Sequence, residues 1–142
     1  MNAKFLGSNE KLKYASGSFK ILDPIKRNTS SNEVYGLDYW NAYEFSFLDK
    51  NRHPTLKVVE IIIPASSIYM VESKSLKLYL NSFYKKKFLD DKEVINKIIK
   101  DLSKLTQSNV KVKFINNFYD EPKSLNINKT SLKFTKPNMT IC

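Results

Sequence analysis

The sequence predicts an α+β fold in which paired helices cover one face of an antiparallel sheet, and three observations carry that reading. Trp40–Leu48 alternates, with Tyr43, Phe45 and Phe47 on one side and Glu44 and Ser46 on the other, which is the period of a half-buried strand. Leu56–Ile63 is an apolar run rich in β-branched residues, the type that packs well on a pleated surface. From Leu76 onward the apolar period lengthens to that of a helix and stays so as far as Leu105. Strands grouped on either side of two helices pack as a sheet with helices on one face.

Taken in order, residues 1–35 show no strong periodicity and contain Gly7, Gly17, Pro24 and a polar cluster at 28–32, so they read as an extended arm and a loop. The two strands at 40–48 and 56–63 flank the turn-forming stretch 49–54 and read as a hairpin. Leu76, Tyr79, Leu80, Phe83 and Tyr84 then fall at i, i+3, i+4, i+7 and i+8, one face of an amphipathic helix. Lys85, Lys86 and Lys87 close it with charge suited to the helix dipole. Asp90 followed three residues later by Glu93 marks the start of a second helix. Its inward face is read as Ile95, Ile98, Ile99, Leu102 and Leu105. Val110, Val112 and Phe114 alternate with Lys111 and Lys113 as a third strand, and 125–134 reads as a fourth. The predicted order is strand, strand, helix, helix, strand, strand.

The chain has 142 residues, 42% of them hydrophobic, which is enough to bury a core and excludes general disorder. The formal net charge is +10, carried by Lys far more than by Arg. Lysine spread over a surface is ordinarily a solvated face, so direct nucleic-acid binding is not expected; the positive field would still attract an anionic dinucleotide. No run approaches the roughly 18 to 20 apolar residues of a membrane span, and no apolar segment follows the first residues as a signal peptide requires. The lone thiol, Cys142, excludes an internal disulfide framework and fits a reducing compartment. The expected location is the cytoplasm.

The stretch that concentrates chemistry is Val71-Glu72-Ser73-Lys74-Ser75-Leu76-Lys77-Leu78-Tyr79. A carboxylate, two hydroxyls and a lysine gather where a strand gives way to a helix. Helix-start N–H groups favour anions, and a carboxylate such as Glu72 can accept paired N–H donors from a planar heterocycle. The structural alternative is a helix cap, with Ser73 or Ser75 as N-cap and Glu72 as a first-turn charge. Elsewhere, His53 lacks partners at metal-ligand spacing and reads as a surface residue. Trp40 reads as core or interface, and Asp38 and Glu44 form a carboxylate pair only if the fold brings them together. Three glycines, none in a G-x-G-x-x-G run, exclude a Rossmann fingerprint.

The run Glu72–Tyr79 resembles the signature of the NADPH-dependent 7-cyano-7-deazaguanine reductases, and every position fits. Gly36–Glu44, Ile63-Pro64-Ala65, Leu80–Phe83 and Pro24-Ile25-Lys26-Arg27 are similar to the N-terminal module of the two-module form. The resemblance implies a tunnelling fold, whose modules associate with their sheets forming a barrel around a tunnel. It also implies the reduction of 7-cyano-7-deazaguanine to 7-aminomethyl-7-deazaguanine in queuosine biosynthesis, a tRNA-modification pathway. Val71, Glu72 and Ser73 match positions that line the deazaguanine pocket, and Ser73 and Lys74 match positions that contact NADPH. Lys77 is expected to be solvated.

In the resembled enzyme a cysteine thiolate adds to the nitrile to give a covalent thioimide. That cysteine, an aspartic acid and a His-Glu pair belong to the C-terminal module, and none has a counterpart here. Cys142, the last residue, is not expected to be the nucleophile. The expected organisation is therefore an arm at 1–35, a module at 36–136 and the start of a connector at 137–142. Its partner would be a C-terminal catalytic module or further copies of the chain. The alternative function is a catalytically inactive binding or assembly module.

Overall fold

The structure, a computed structural model, describes residues 14–28 and 35–116. Three antiparallel strands form its main sheet in the order β2-β3-β5: β2 (Leu37–Leu48), β3 (Pro54–Pro64) and β5 (Lys111–Ile115). The turn joining β2 to β3 is held by Asp49, whose Oδ1 accepts from the N–H groups of Asn51 and His53, each at 2.8 Å. Both hairpin strands are longer than their apolar patterns, because backbone pairing continues past the residues that are buried: Leu37 pairs with Pro64 and Leu48 with Pro54. The fourth strand expected at 125–134 and the connector expected at 137–142 lie outside the described residues.

An irregularity in β2 corrects the expected alternation. Ala42 pairs with Val59 and Phe45 with Lys57, so three steps on β2 meet two on β3, the mark of a bulge. Inward-facing positions are even-numbered before it, with Trp40 and Ala42 packed on the core, and odd-numbered after it, with Phe45 and Phe47 buried. Tyr43, expected to share the face of Phe45 and Phe47, is instead 60% exposed.

A second, two-stranded ribbon pairs β1 (Pro24–Lys26) with β4 (Tyr69–Val71) in antiparallel register, Pro24 opposite Val71 and Lys26 opposite Tyr69. Neither strand shows in the sequence pattern, since three residues are too few to reveal a period. The segment expected as an extended arm also supplies core. Ile21, in a 3-10 turn at Phe19–Ile21, is fully buried and Leu22 nearly so. Gly17 adopts a left-handed φ of 65° and donates its N–H to Ser82 Oγ at 2.7 Å. A Cβ at Gly17 would lie 3.3 Å from the Phe83 ring, so glycine answers both the backbone and the space.

Helix α1 (Ser73–Asn81) begins three residues before its first apolar position and ends sooner than expected; the chain continues as a 3-10 turn over Ser82–Lys85. Tightening the last turn keeps Phe83 fully buried and leaves Tyr84 exposed. Lys85–Lys87 therefore follow the helix rather than closing it, and the Lys85 and Lys86 ammonium groups sit over the rings of Tyr84 and Phe88. Helix α2 (Asp91–Thr106) has Asp90 as N-cap, its Oδ1 accepting from Glu93 N–H at 2.8 Å. Glu93 Oε2 reaches back to Leu89 N–H at 2.7 Å, one residue earlier than in the usual capping box. The buried face of α2 is Val94, Ile98, Leu102 and Leu105, whereas Ile95 and Ile99 are half-buried flanks.

The core lies between α1, α2 and one face of the sheet. Its centre is aromatic. Phe83 meets Tyr79 edge-on at 5.0 Å, tilts against Phe45 at 5.5 Å and stacks on Phe88 at 5.6 Å. Leu37, Tyr39, Tyr43 and Leu56 of the sheet hairpin are exposed.

Candidate functional site

The site is built where β4 ends and α1 begins. Glu72 follows β4 in extended conformation and is itself the N-cap, a role the sequence had offered to Ser73 or Ser75. Its Oε1 accepts from Lys74 N–H at 2.8 Å and its Oε2 from Ser75 N–H at 2.6 Å. Ser75, fully buried, turns its hydroxyl the other way: Oγ donates to Glu72 O at 2.8 Å and accepts from Asp23 N–H at 3.0 Å. A glutamate can cap at this place because its longer chain reaches two amides at once, and the negative charge suits the helix N-terminus. The helix-start N–H groups expected to attract an anionic ligand are thus met by the protein's own carboxylate.

Two clefts flank this junction. The first, about 490 Å³, lies between α1 and the bulged part of β2, with Trp40, Leu76 and Leu80 as apolar wall and Glu44, Ser73, Lys77 and Asn81 as polar border. The second, about 500 Å³, is bordered by Arg27, Asp38, Tyr39 and Trp40 on one side and Val71, Glu72 and Ser73 on the other. Ser73 and Trp40 border both. The fold therefore brings Val71, Glu72 and Ser73 together in one cleft and shares Ser73 with its neighbour. Lys74 borders neither cleft, and Lys77 is solvated as expected, exposed at the border of the first.

The sequence reading missed the second cleft's other wall. Arg27 pairs with Asp38, and its Nε donates to Ser67 Oγ at 3.1 Å. One of only two arginines in a chain that otherwise uses lysine, Arg27 was itself the available signal, since only Arg offers a planar fork of donors. Asp38 and Glu44 do not form the carboxylate pair considered above: Asp38 faces Arg27 in the second cleft and Glu44 borders the first.

Of the remaining candidates, His53 is exposed in the β2–β3 turn, with Nδ1 3.7 Å from Asp49 Oδ2. The backbone N–H of His53 is the largest influence holding the Asp49 carboxyl below its usual range. Cys142 lies outside the described residues. Among the described residues no three His, Cys, Asp or Glu side chains gather as a metal site, and no helix is long and apolar enough to cross a membrane.

Residues 17–114 match the family model described as nitrile reductase, 7-cyano-7-deazaguanine-reductase N-terminal. The chain belongs to that family. The matched span takes in both walls of both clefts, so the reductase N-terminal family and the site coincide. Among curated proteins, the chain is similar to the NADPH-dependent 7-cyano-7-deazaguanine reductases of the Coxiella burnetii Dugway, Henzerling II and Nine Mile strains. It is 48% identical to each over 81 residues, which is 57% of this chain and 29% of the relative. The chain thus spans less than a third of the length of the reductases it matches.

The residues present fit one part of a dinucleotide cofactor. The first cleft offers an aromatic and aliphatic wall for a ring, with Lys77 and the Asn81 amide at its border. Phosphate oxygens would meet a lysine ammonium as a point charge. They would not meet the Lys74 and Ser75 amides of α1, which Glu72 occupies.

Proposed function

We propose that this chain is the N-terminal module of an NADPH-dependent nitrile reductase that converts 7-cyano-7-deazaguanine to 7-aminomethyl-7-deazaguanine, a cytoplasmic step of queuosine biosynthesis that serves tRNA modification. The observation that carries the reading is the convergence of Val71, Glu72 and Ser73 on one cleft, inside a span matched to the reductase N-terminal family. In this reading Glu72 accepts N–H groups of the deazaguanine ring, Val71 supplies an apolar contact and Ser73 stands between substrate and cofactor. NADPH supplies hydride when bound. Ser73, with Lys74 at the same helix start, contacts it, and Lys77 adds positive charge to the cleft wall.

Glu72 retains capacity for this while capping α1. Its carboxylate has about four lone-pair sites. Two are taken by amides and a third by Ser73 Oγ at 3.4 Å, a long bond that a rotating hydroxyl can give up. One acceptor direction on each oxygen is then open to a pair of ring donors.

The nucleophile and proton donors come, in this proposal, from a C-terminal catalytic module or from another copy that completes the tunnelling-fold barrel. The exposed Leu37, Tyr39, Tyr43 and Leu56 support such a partner, because apolar surface gathered on one hairpin marks an interaction face. Nucleic acid is not a proposed direct partner. The second reading is an inactive binding or assembly module, favoured by the lack of any cysteine among the described residues.

Calorimetric titration of the chain with 7-cyano-7-deazaguanine tests the proposal, beside NADPH oxidation by the chain alone and by Cys142→Ala. Binding that Glu72→Ala abolishes, while the variant keeps its far-ultraviolet circular dichroism, is the expected result. Loss of the cap lowers stability by about 0.5–2 kcal/mol, so the fold survives to be assayed. Unchanged binding by Glu72→Ala counts against the site. Turnover by the chain alone that vanishes in Cys142→Ala would overturn the need for a catalytic partner.

A further inference from the structure

We propose that Arg27 sets the specificity of the second cleft by donating to a ring oxo group of the bound heterocycle, with Asp38 and Ser67 fixing its guanidinium in place. The inference rests on the functional reading above for the class of ligand and adds the group that reads the ligand's acceptor edge.

Arg27 stands just past the end of β1, its N–H bonded to Ile68 O at 3.1 Å. Its side chain is only 14% exposed and borders the same cleft as Glu72. Two anchors orient it. Ser67 is nearly fully buried and spends its single hydroxyl proton on Tyr69 O at 2.9 Å, so its Oγ can meet Arg27 Nε only as an acceptor. Asp38 takes Nη2 from the other side. A guanidinium carries five N–H donors and stays charged at any working pH. After these two bonds the Nη1 amino group has no partner among the described residues. An oriented cation with donors to spare, at the border of a cleft, calls for an acceptor in the ligand.

The other wall offers the opposite polarity. Glu72 is acceptor-only when ionised, and Trp40 and Tyr39 supply aromatic surface at the same cleft. A ring that places two N–H donors beside an oxo group satisfies both walls: the donors go to Glu72 and the oxygen to Arg27. The pyrimidine half of a deazaguanine has this pattern. Replacing its oxo oxygen by sulfur would keep both N–H donors for Glu72 but leave the fixed cation a poor acceptor, and poorly paired groups in a closed site are what discriminate between close analogues. Lysine, the basic residue this chain uses almost everywhere else, could not be held at two points and still present a third.

Titration calorimetry on the whole chain separates this role from a merely structural one. The probes are 7-cyano-7-deazaguanine and its thioxo counterpart, in which sulfur replaces the oxo oxygen while both N–H donors to Glu72 stay in place. The wild type is expected to prefer the oxo ligand by about 10-fold, because sulfur accepts only weakly from a charged donor. Arg27→Met is expected to erase most of that preference by weakening the oxo ligand alone. Arg27→Lys keeps the charge without the fork and serves if the methionine variant fails to fold; it too is expected to lose preference. Equal weakening of both ligands, or a ratio that neither variant changes, overturns the inference and leaves Arg27 as a tie between the ribbon and β2. A wild type that binds neither ligand overturns the functional reading itself, and this inference with it.

Discussion

Burial, reinforced by the hydrogen bond it donates to Asp101, holds the Tyr79 hydroxyl neutral and raises its pKa well above the usual tyrosine range. The bond, 2.7 Å from Oη to Asp101 Oδ2, ties α1 to α2 across the core, and Lys97 pairs with the same carboxylate. Because the folded value is raised, its contribution to stability is complete below the unfolded value of about 10 and is lost as pH climbs above it. Urea unfolding between pH 8 and pH 11 should therefore show wild-type stability falling at the alkaline end. The part of that slope due to this one proton approaches about 1.4 kcal/mol per pH unit, and Tyr79→Phe removes it. Superimposable alkaline slopes in the two proteins would refute the coupling. At this scale the sequence was partly legible. The run Glu72–Tyr79 announced a charged helix start, but whether the carboxylate or a hydroxyl caps α1 turns on which side chain reaches the free amides. Serine is the preferred cap of the two, so the pattern pointed away from the glutamate that fills the role.

Helix α2 was the most readable element, because its start has a chemical signature and its length gives the period several turns to show itself. Asp90→Ala leaves the Glu93 N–H without its partner and should lower stability by about 1 kcal/mol, read as a lower urea midpoint with an unchanged slope. A midpoint within error of wild type would mean that the cap is redundant with the Glu93–Leu89 bond. The end of α1 was less readable, since Tyr84 sits at helical spacing yet the chain has already tightened into a 3-10 turn. The tightening serves Phe83, whose three ring contacts come from residues near and far in sequence. Strands β1 and β4 were invisible for a different reason. They are three residues long, and their pairing across more than 40 positions of sequence leaves no local trace.

For the molecule as a whole, Phe83 is where α1, the turn after it, β2 and the Gly17 segment meet. Phe83→Ala should lower stability by about 3–5 kcal/mol, a large part of the roughly 5–15 kcal/mol that holds a domain of this kind together. Thermal unfolding followed by circular dichroism reads it; a shift of only a degree or two would show that the aromatic cluster relaxes into the space. The α+β layering was legible because it follows from periods. The clefts were not, because each is assembled from segments far apart in the chain, and nothing near Arg27 in sequence points to Glu72. The bulge in β2 belongs to the same order of information. One surplus residue there exchanges the two faces of the strand halfway along its length, so that Trp40 and Phe47 can both look inward. Deleting Tyr43 or Glu44 would take out that surplus residue, two steps on β2 then meeting two on β3, and would leave Trp40, Ala42, Phe45 and Phe47 all turned inward. A residue inserted into the regular part of the strand would instead act like a reading-frame slip written in side chains. A length change in the turn at 49–53 would merely reshape a loop. Within β2, length is thus free to change at the bulge, whose one extra residue the fold already absorbs, and fixed along the paired stretches on either side of it.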